Sequence, residues 1–417
     1  MAPRPLPRPP LPAPALLLPL LLLCTWLPEF SCRIAVEDII VPEGFAVNSF
    51  ANGEVPMARS LALSGGDNGG ATIVYVSTRK LTNVYAVIDE DSDGTGDRVV
   101  TVIDDRDTPN GIAWRNGSLY LAQIDAVWRY DDVDEQALRG EKLQDPILIS
   151  DAFPSDPGHG WKFIRFGPDG KLYIPVGAPC NICELEDFGD IAYGTINCMS
   201  EDGSDLEIYA TGVRNTVGFD WHPFTRELWF TDNGRDRMGD NLPDDELNIA
   251  LEKGLDFGYP YCHTEGEGDP YNRPAGAGKV VPDTTFGTFK NCSDPESHQL
   301  AVQPLGPHVA ALGMRFYTGT MFPERYWNSA FIALHGSWNR EDKIGYSVLN
   351  VRLGADNRTV ESVETFAGGW LLGDGDTVCG RPVDVEIMPD GSLLVSDDYA
   401  DDVYRITYTQ QEADSSG

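Results

Sequence analysis

The chain is short of positive charge. Its 417 residues carry 31 Lys and Arg against 65 Asp and Glu, a formal net charge of −34. So acidic a surface repels phosphate backbones and anionic lipid, which excludes nucleic acid as a partner. The same excess aids solubility and suits divalent cations. Convincing amphipathic helices are also scarce. The best is DDELNIALEKG (244–254), with aspartates at its start and a glycine at its end, and a helix is expected there. Zinc is not expected at the single C-x-x-C, Cys180 and Cys183, because no second pair or suitably spaced His pair accompanies it. There is no C-x-x-C-H haem motif. Beyond the N-terminal segment, no apolar run is long enough to span a bilayer, so no stable membrane insertion is expected.

That N-terminal segment has the form of a targeting signal. Arg4 and Arg8 precede ALLLPLLLLCTWL, a basic start followed by an apolar core too short to cross a membrane comfortably. Residues 1–34 are read as a signal peptide and the mature protein as secreted, or periplasmic in a bacterium. The last residues, 411–417, are read as a disordered tail. In an oxidising compartment cysteines pair. Of eight, Cys24 lies in the leader and Cys32 beside the cleavage site. That leaves Cys180, Cys183, Cys198, Cys262, Cys292 and Cys379 as an even set whose connectivity stays open. Cys180 and Cys183 suit a local disulfide or a metal pair. A bridge between Cys262 and Cys292 would clip a Gly/Pro-rich insertion at 235–305. Sequons at Asn116, Asn291 and Asn357 fit a secreted glycoprotein.

Turns and strands are plentiful, with 43 Gly and 30 Pro. One pattern recurs: a Gly- or Asp-bearing turn, a short apolar strand, then a polar loop. The copies are GGATIVYVSTR (69–79), NGSLYLAQ (116–123), PDGKLYIPVG (168–177), PFTRELWFTDNG (223–234), YWNSAFIALHGSW (326–338) and PDGSLLVSDD (389–398). Strands with period-two alternation follow several of them, such as NVYAVID (83–89) and VYRITY (403–408). Six repeats of this kind read as propeller blades. The fold class is therefore all-β, a six-bladed β-propeller over 35–410. GFAVNSFA (44–51) is expected to join the last blade beside VYRITY and close the ring.

Polar residues gather at the strand ends that a ring would turn toward its axis. They are Arg79, His159, Arg214, Asn215, Asn233, Gly234, Arg235, His308, His335, Arg340 and Arg381. Singly, each arginine could pair with a surface carboxylate. Together, in so acidic a chain, they point to an anion-binding pocket.

The order of GHGWKFIRFGPDGKLYIPVGAPCNIC, GVRNTVGFDWHP, FTDNGRD, LPDDELN, FGYPYCH, LGMRFYTG, HGSWNR and GRPVDV resembles that of the glucose/sorbosone dehydrogenase family, in its sorbosone and pyranose dehydrogenase-like branch. The resemblance spans about 40–410. It implies a six-bladed propeller that binds pyrroloquinoline quinone (PQQ) and Ca²⁺ and oxidises a sugar or sugar-derived aldehyde. Electrons would pass to an external acceptor, a cytochrome or small mediator, since no second redox domain is present. By the same resemblance His159 is the catalytic base and Arg214 and Asn215 meet the quinone carbonyls. Asn233 sits in the calcium loop, where Gly234 and Arg235 offer backbone carbonyls to the metal. Arg381 meets a cofactor carboxylate. Arg79, His308, His335 and Arg340 join the cofactor site by position. The glycines beside His159 are expected to leave room for a flat ligand. A lysine used by several soluble glucose dehydrogenases has no clear counterpart, so glucose is not singled out as substrate.

Two readings stand beside these. A non-catalytic secreted propeller binding a carbohydrate or protein is the alternative, because fold membership does not fix activity. Separately, DEDSDGTGD (89–97) presents Asp89, Asp91 and Asp93 in a D-x-D-x-D-G core, which reads either as a solvated acidic turn or as a structural calcium site within a hairpin.

Overall fold

The computed structural model describes residues 32–409, apart from 67, 186–192, 271, 277, 287–290, 293 and 295. The expected tail 411–417, and the expected leader up to residue 31, lie outside the described residues. Six four-stranded antiparallel sheets are arranged as the blades of a propeller. Their innermost strands are Ala58–Leu63, Gly111–Arg115, Arg165–Phe166, Gly218–Trp221, Ala311–Phe316 and Pro382–Ile387.

The six sequence repeats coincide with the second strand of each blade: Thr72–Thr78, Ser118–Ala122, Leu172–Val176, Leu228–Asp232, Ala330–Leu334 and Leu393–Asp397. The last four of these are buried at every position. Neighbouring blades cover both faces, which is why these strands read as apolar runs rather than alternating ones. Tight turns lead into them. Asn116 and Gly117 (φ 52° and 80°) make the two-residue hairpin of the second blade.

The ring closes as expected. Phe45–Ser49 lies antiparallel to Asp402–Tyr408, from Phe45 opposite Tyr408 to Ser49 opposite Tyr404. A disulfide between Cys32 and Cys379, 347 residues apart, ties the start of the described chain to the last blade. This corrects the expected cysteine set. Cys32 belongs to the framework, and the odd member is Cys198, a buried free thiol on the strand Thr195–Met199. Cys180–Cys183 and Cys262–Cys292 are the other bridges.

The expected helix at 244–254 is also corrected. Asp244–Ala250 is the third strand of the fourth blade, paired with Leu228–Asp232. Its aspartates are buried acceptors, not helix caps. Asp244 takes two bonds from Arg273 at 2.7 Å. Asp245 accepts the amides of Gly234 and Ala310 at 2.8 and 2.7 Å. Leu247 and Ile249 pack with Leu305 and Val309. Tertiary packing overrides a helical propensity here.

Near the axis, Val217, Leu312 and Val383 form a small apolar floor. Further along these strands, joined by Arg165 from the third blade, lies an ionic plug. Arg165 meets Asp220 at 3.3 Å and Glu386 at 3.0 Å, while Arg315 meets Glu386 at 3.1 Å and Asp384 at 3.5 Å. The plug sits under the floor, and the candidate site opens above it.

Candidate active site

The second strands end, and the innermost strands begin, on one face of the ring. There a cavity of about 390 Å³ is lined by Arg79, His159, Arg214, Asn215, Asn233, Gly234, His308, His335 and Arg381, nine of the residues singled out in the sequence. Arg59, Trp161, Asp236, Asp245, Trp338 and Asn339 complete most of the wall.

His159 occupies a left-handed backbone position (φ 50°). Its Nδ1 lies 2.7 Å from the carbonyl of Ala178. A carbonyl only accepts, so Nδ1 carries the proton and Nε2 keeps the lone pair. Burial, helped by the charge of Arg214, pushes the imidazole pKa down to about 4. The ring is therefore neutral at pH 7. The flanking glycines do a different job from the one expected. A Cβ on Gly158 would crowd Asp156 and Pro179, and one on Gly160 would strike the backbone of Asp156. They let the loop fold upon itself rather than clear space for a ligand. Gly177 does the same from below, where a Cβ would meet His159 itself at 2.6 Å.

Arg214 is buried and held on several sides. Its Nε donates to the Asn181 carbonyl (2.9 Å), Nη1 to the Asn233 carbonyl (3.1 Å), and Nη2 to Asn181 Oδ1 (2.9 Å) and Asp236 (3.1 Å). Asp232, at the end of its strand, caps the amides of Arg214 and Asn215 at 2.8 and 2.6 Å. Burial lifts the Asp232 carboxyl to about 6. Asp397 repeats the device in the last blade by accepting the Arg381 amide at 2.8 Å.

The opposite wall is a cationic cluster with too few anions. Arg59 bonds Asp398 at 3.0 Å, and Arg79 stands 4.0 Å from the same carboxylate. The Arg381 guanidinium donates to the carbonyls of His335 and Gly336, at 3.0 and 2.9 Å. His335 Nε2 lies 2.7 Å from Asp398, and burial pushes its pKa to about 4, so it adds no charge at pH 7. Arg79 stacks over Trp161 at 3.6 Å and its buried Nε has no hydrogen-bond partner. Burial, with Arg59 and Arg381 nearby, lowers the Arg79 pKa to about 9. Guanidiniums crowded in this way favour an anion between them.

Two expected residues are not brought in by their side chains. Arg235 turns to Asp283 (2.7 Å) and Thr285 (3.2 Å) in the insertion. Arg340 is spent on Asp342, Asp240 and Asn241. His308 lines the cavity with Nε2 on the Gly239 carbonyl at 2.9 Å. In the remote acidic hairpin, Asp89, Asp91 and Asp97 bring their oxygens within 4.8 Å of one another. Asp93 instead accepts the Thr95 amide at 2.8 Å, so Asp97 takes the place expected for it.

The sequence reading missed Arg59, Trp161, Asn181, Asp236 and Asp398. Asp398 ends the repeat copy PDGSLLVSDD, so a signal existed for it. Arg59 lies on an innermost strand, ARSLAL, which has no turn signature.

Fold and site together define a propeller whose axial cavity is lined by a cluster of arginines and a tautomer-fixed histidine. The chain belongs to the TrAA12-like family, whose model matches residues 195–409. An uncharacterized protein of Borreliella burgdorferi is 30% identical over 395 residues, covering 91% of this chain and 94% of that one. A pyrroloquinoline quinone-dependent pyranose dehydrogenase of Coprinopsis cinerea is 31% identical over 283 residues, which is 58% of this chain and 37% of that protein. The calcium structure of a Trichoderma reesei enzyme of carbohydrate-active family AA12 shares the fold, with a TM-score of 0.72 and 15% identity over 91% of this chain and all of that one. These matches agree with the family resemblance carried by the motifs.

Proposed function

We propose that the protein is a secreted dehydrogenase that holds PQQ and Ca²⁺ in the axial cavity and oxidises a sugar or a sugar-derived aldehyde or hydroxyl (a sorbosone, an aldose or a pyranose). Electrons leave to an external acceptor, a cytochrome or small mediator. One observation carries the reading. Arg59 and Arg79 share the carboxylate of Asp398, the nearby Arg381 guanidinium is held by backbone carbonyls, and the buried Arg79 Nε is unpartnered. PQQ is a planar tricarboxylate and fits that surplus charge. The Coprinopsis relative, PQQ-dependent by name, supports the same ligand.

Arg79 and Arg381 would hold cofactor carboxylates, and Arg214 with Asn215 the quinone edge. For calcium, Gly234 and the carboxylate of Asp236 share the cavity wall, oxygen donors of the kind a hard cation takes. The calcium in the AA12 structure points the same way. When bound, the quinone supplies a two-electron acceptor and the calcium an electrophile. The chain's own part is proton handling and charge. Neutral His159 accepts the substrate hydroxyl proton at Nε2, because Nδ1 is committed to Ala178. Arg214, fixed by Asn181 and Asp236, stabilises negative charge as it develops nearby.

Three disulfides suit an oxidising compartment, and no helix among the described residues is long and apolar enough to cross a membrane. A leader cleaved before Cys32 would keep the Cys32–Cys379 bridge.

The test is dye-linked oxidation by the purified mature protein, supplied with PQQ and Ca²⁺, over a panel of aldoses and ketoaldehydes. Turnover is expected with at least one of them. His159→Ala should abolish it while PQQ binding stays within about threefold of wild type. Absence of PQQ binding, or full turnover in His159→Ala, contradicts the proposal.

A further inference from the structure

The Cys180–Cys183 bridge spans only three residues of sequence, against 30 and 347 for the other two. A loop so short restricts the unfolded chain little, so its use lies in local geometry. Asn181 sits between its two sulfurs. The Asn181 carbonyl accepts Arg214 Nε at 2.9 Å and the Tyr259 hydroxyl at 3.4 Å. Its Oδ1 accepts Arg214 Nη2 at 2.9 Å and the Asp236 amide at 2.7 Å, and its Nδ2 donates to the Asp236 carbonyl at 3.0 Å. Cys180 itself lies 3.7 Å from the Tyr259 hydroxyl.

The same segment reaches the histidine. Ala178, two residues before Cys180, donates its amide to the Arg214 carbonyl at 2.8 Å and accepts His159 Nδ1 at 2.7 Å. One short stretch, 178–183, thus fixes both the guanidinium direction and the imidazole tautomer. The stretch carries no charged side chain, and Asn181 alone within it binds the Arg214 guanidinium, once through its backbone carbonyl and once through its side-chain oxygen.

We infer that Asn181 is the positioning residue for Arg214, and that the Cys180–Cys183 disulfide is the staple that presents it. The inference rests on the proposed PQQ site for its consequence and on the Arg214–His159 geometry for its basis. Opening the bridge frees Asn181 from Arg214 and lets the cation move away from His159 and from the quinone edge. Both cysteines of this bridge are half-buried, whereas Cys262 and Cys292 are both buried and half-buried Cys32 is joined to buried Cys379, so it is the bridge most open to thiol reagents.

The experiment uses the mature protein, the Cys180→Ser/Cys183→Ser double variant, and Asn181→Ala with both cysteines intact. Two quantities are read. One is the PQQ dissociation constant by calorimetry in Ca²⁺. The other is the His159 titration midpoint by NMR of ¹³C-labelled histidine without cofactor. Both variants should melt within about 3 °C of wild type. Both should bind PQQ at least tenfold more weakly, and their His159 midpoints should rise above the wild-type value of about 4 as Arg214 moves off, with burial still holding them below the free-imidazole value. Wild-type values for both quantities in the folded variants overturn the inference. If the wild type binds no PQQ, the cofactor proposal fails and the His159 midpoint alone decides the positioning claim. If the double variant does not fold, Asn181→Ala decides it.

Discussion

Two ionic clusters sit one above the other near the propeller axis, and they differ in charge balance. In the plug, Arg165 and Arg315 face Asp220, Asp384 and Glu386, so the carboxylates match or exceed the cations. In the arginine cluster of the cavity, Arg59 and Arg79 lie on the one carboxylate of Asp398 and Arg381 lies on backbone carbonyls, and His335 adds no charge at pH 7. A balanced cluster is complete without a ligand and serves the fold. An unbalanced one is completed by something from outside. The difference separates a structural feature from a binding site in a chain where arginine and aspartate occur in both.

The largest expected effect comes from unbalancing the plug. Glu386→Ala leaves Arg165 and Arg315 without their shared buried partner, and should lower stability by roughly 3–5 kcal/mol in denaturant titration. Arg79→Ala is the counterpart in the cavity. It removes a crowded cation, so the melting temperature should hold or rise, while PQQ affinity falls about 10- to 100-fold, the range of a lost charge-assisted bond. Equal loss of stability in the two variants would erase the distinction.

Acidity should separate the regions next. The Arg315 and Arg165 charges outweigh burial and hold the Glu386 carboxyl below its usual value. A depressed acid stabilises the fold above its unfolded pKa, near 4.5, and that stability is lost as pH falls below it. Asp245, in the cavity wall, behaves oppositely. Burial lifts it to about 8, so its stability is full below an unfolded value near 3.8 and is lost as pH rises toward 8. Melting temperature against pH should therefore lose part of its acid limb in Glu386→Gln and part of its neutral-to-alkaline decline in Asp245→Asn. For catalysis, His159 should place the acid limb of kcat/KM near pH 4 rather than 6.5. The smallest effect is that of salt. Raising ionic strength should weaken PQQ binding a few-fold by screening the open cavity, and leave the sheltered plug unaffected.

The architecture was legible in the sequence because the second strand of each blade has a strong local signature, a turn followed by a run buried on both faces. The innermost strands carry the axis but lack that signature. Arg59 and the whole plug therefore went unread. His159 and Arg214 were found through motif order. The partners that orient them, Ala178 and Asn181, act through backbone or amide groups, which have no pattern to read. Asp244–Ala250 was misread as a helix because its aspartates look like caps. Only the fold shows Arg273, Gly234 and Ala310 arriving to bind them. The C-x-x-C was read as a local disulfide or a metal pair, and the contact with Arg214 that distinguishes it comes from Asn181, 33 residues away in sequence.

Calorimetric titration of the mature protein with PQQ in the presence of Ca²⁺, beside the Arg79→Ala/Arg381→Ala variant, tests the central claim most directly. The account predicts one-to-one binding to the wild type, weakened by at least 100-fold in a variant that still melts at the wild-type temperature. No binding by the wild type, or the same affinity in both proteins, would contradict it.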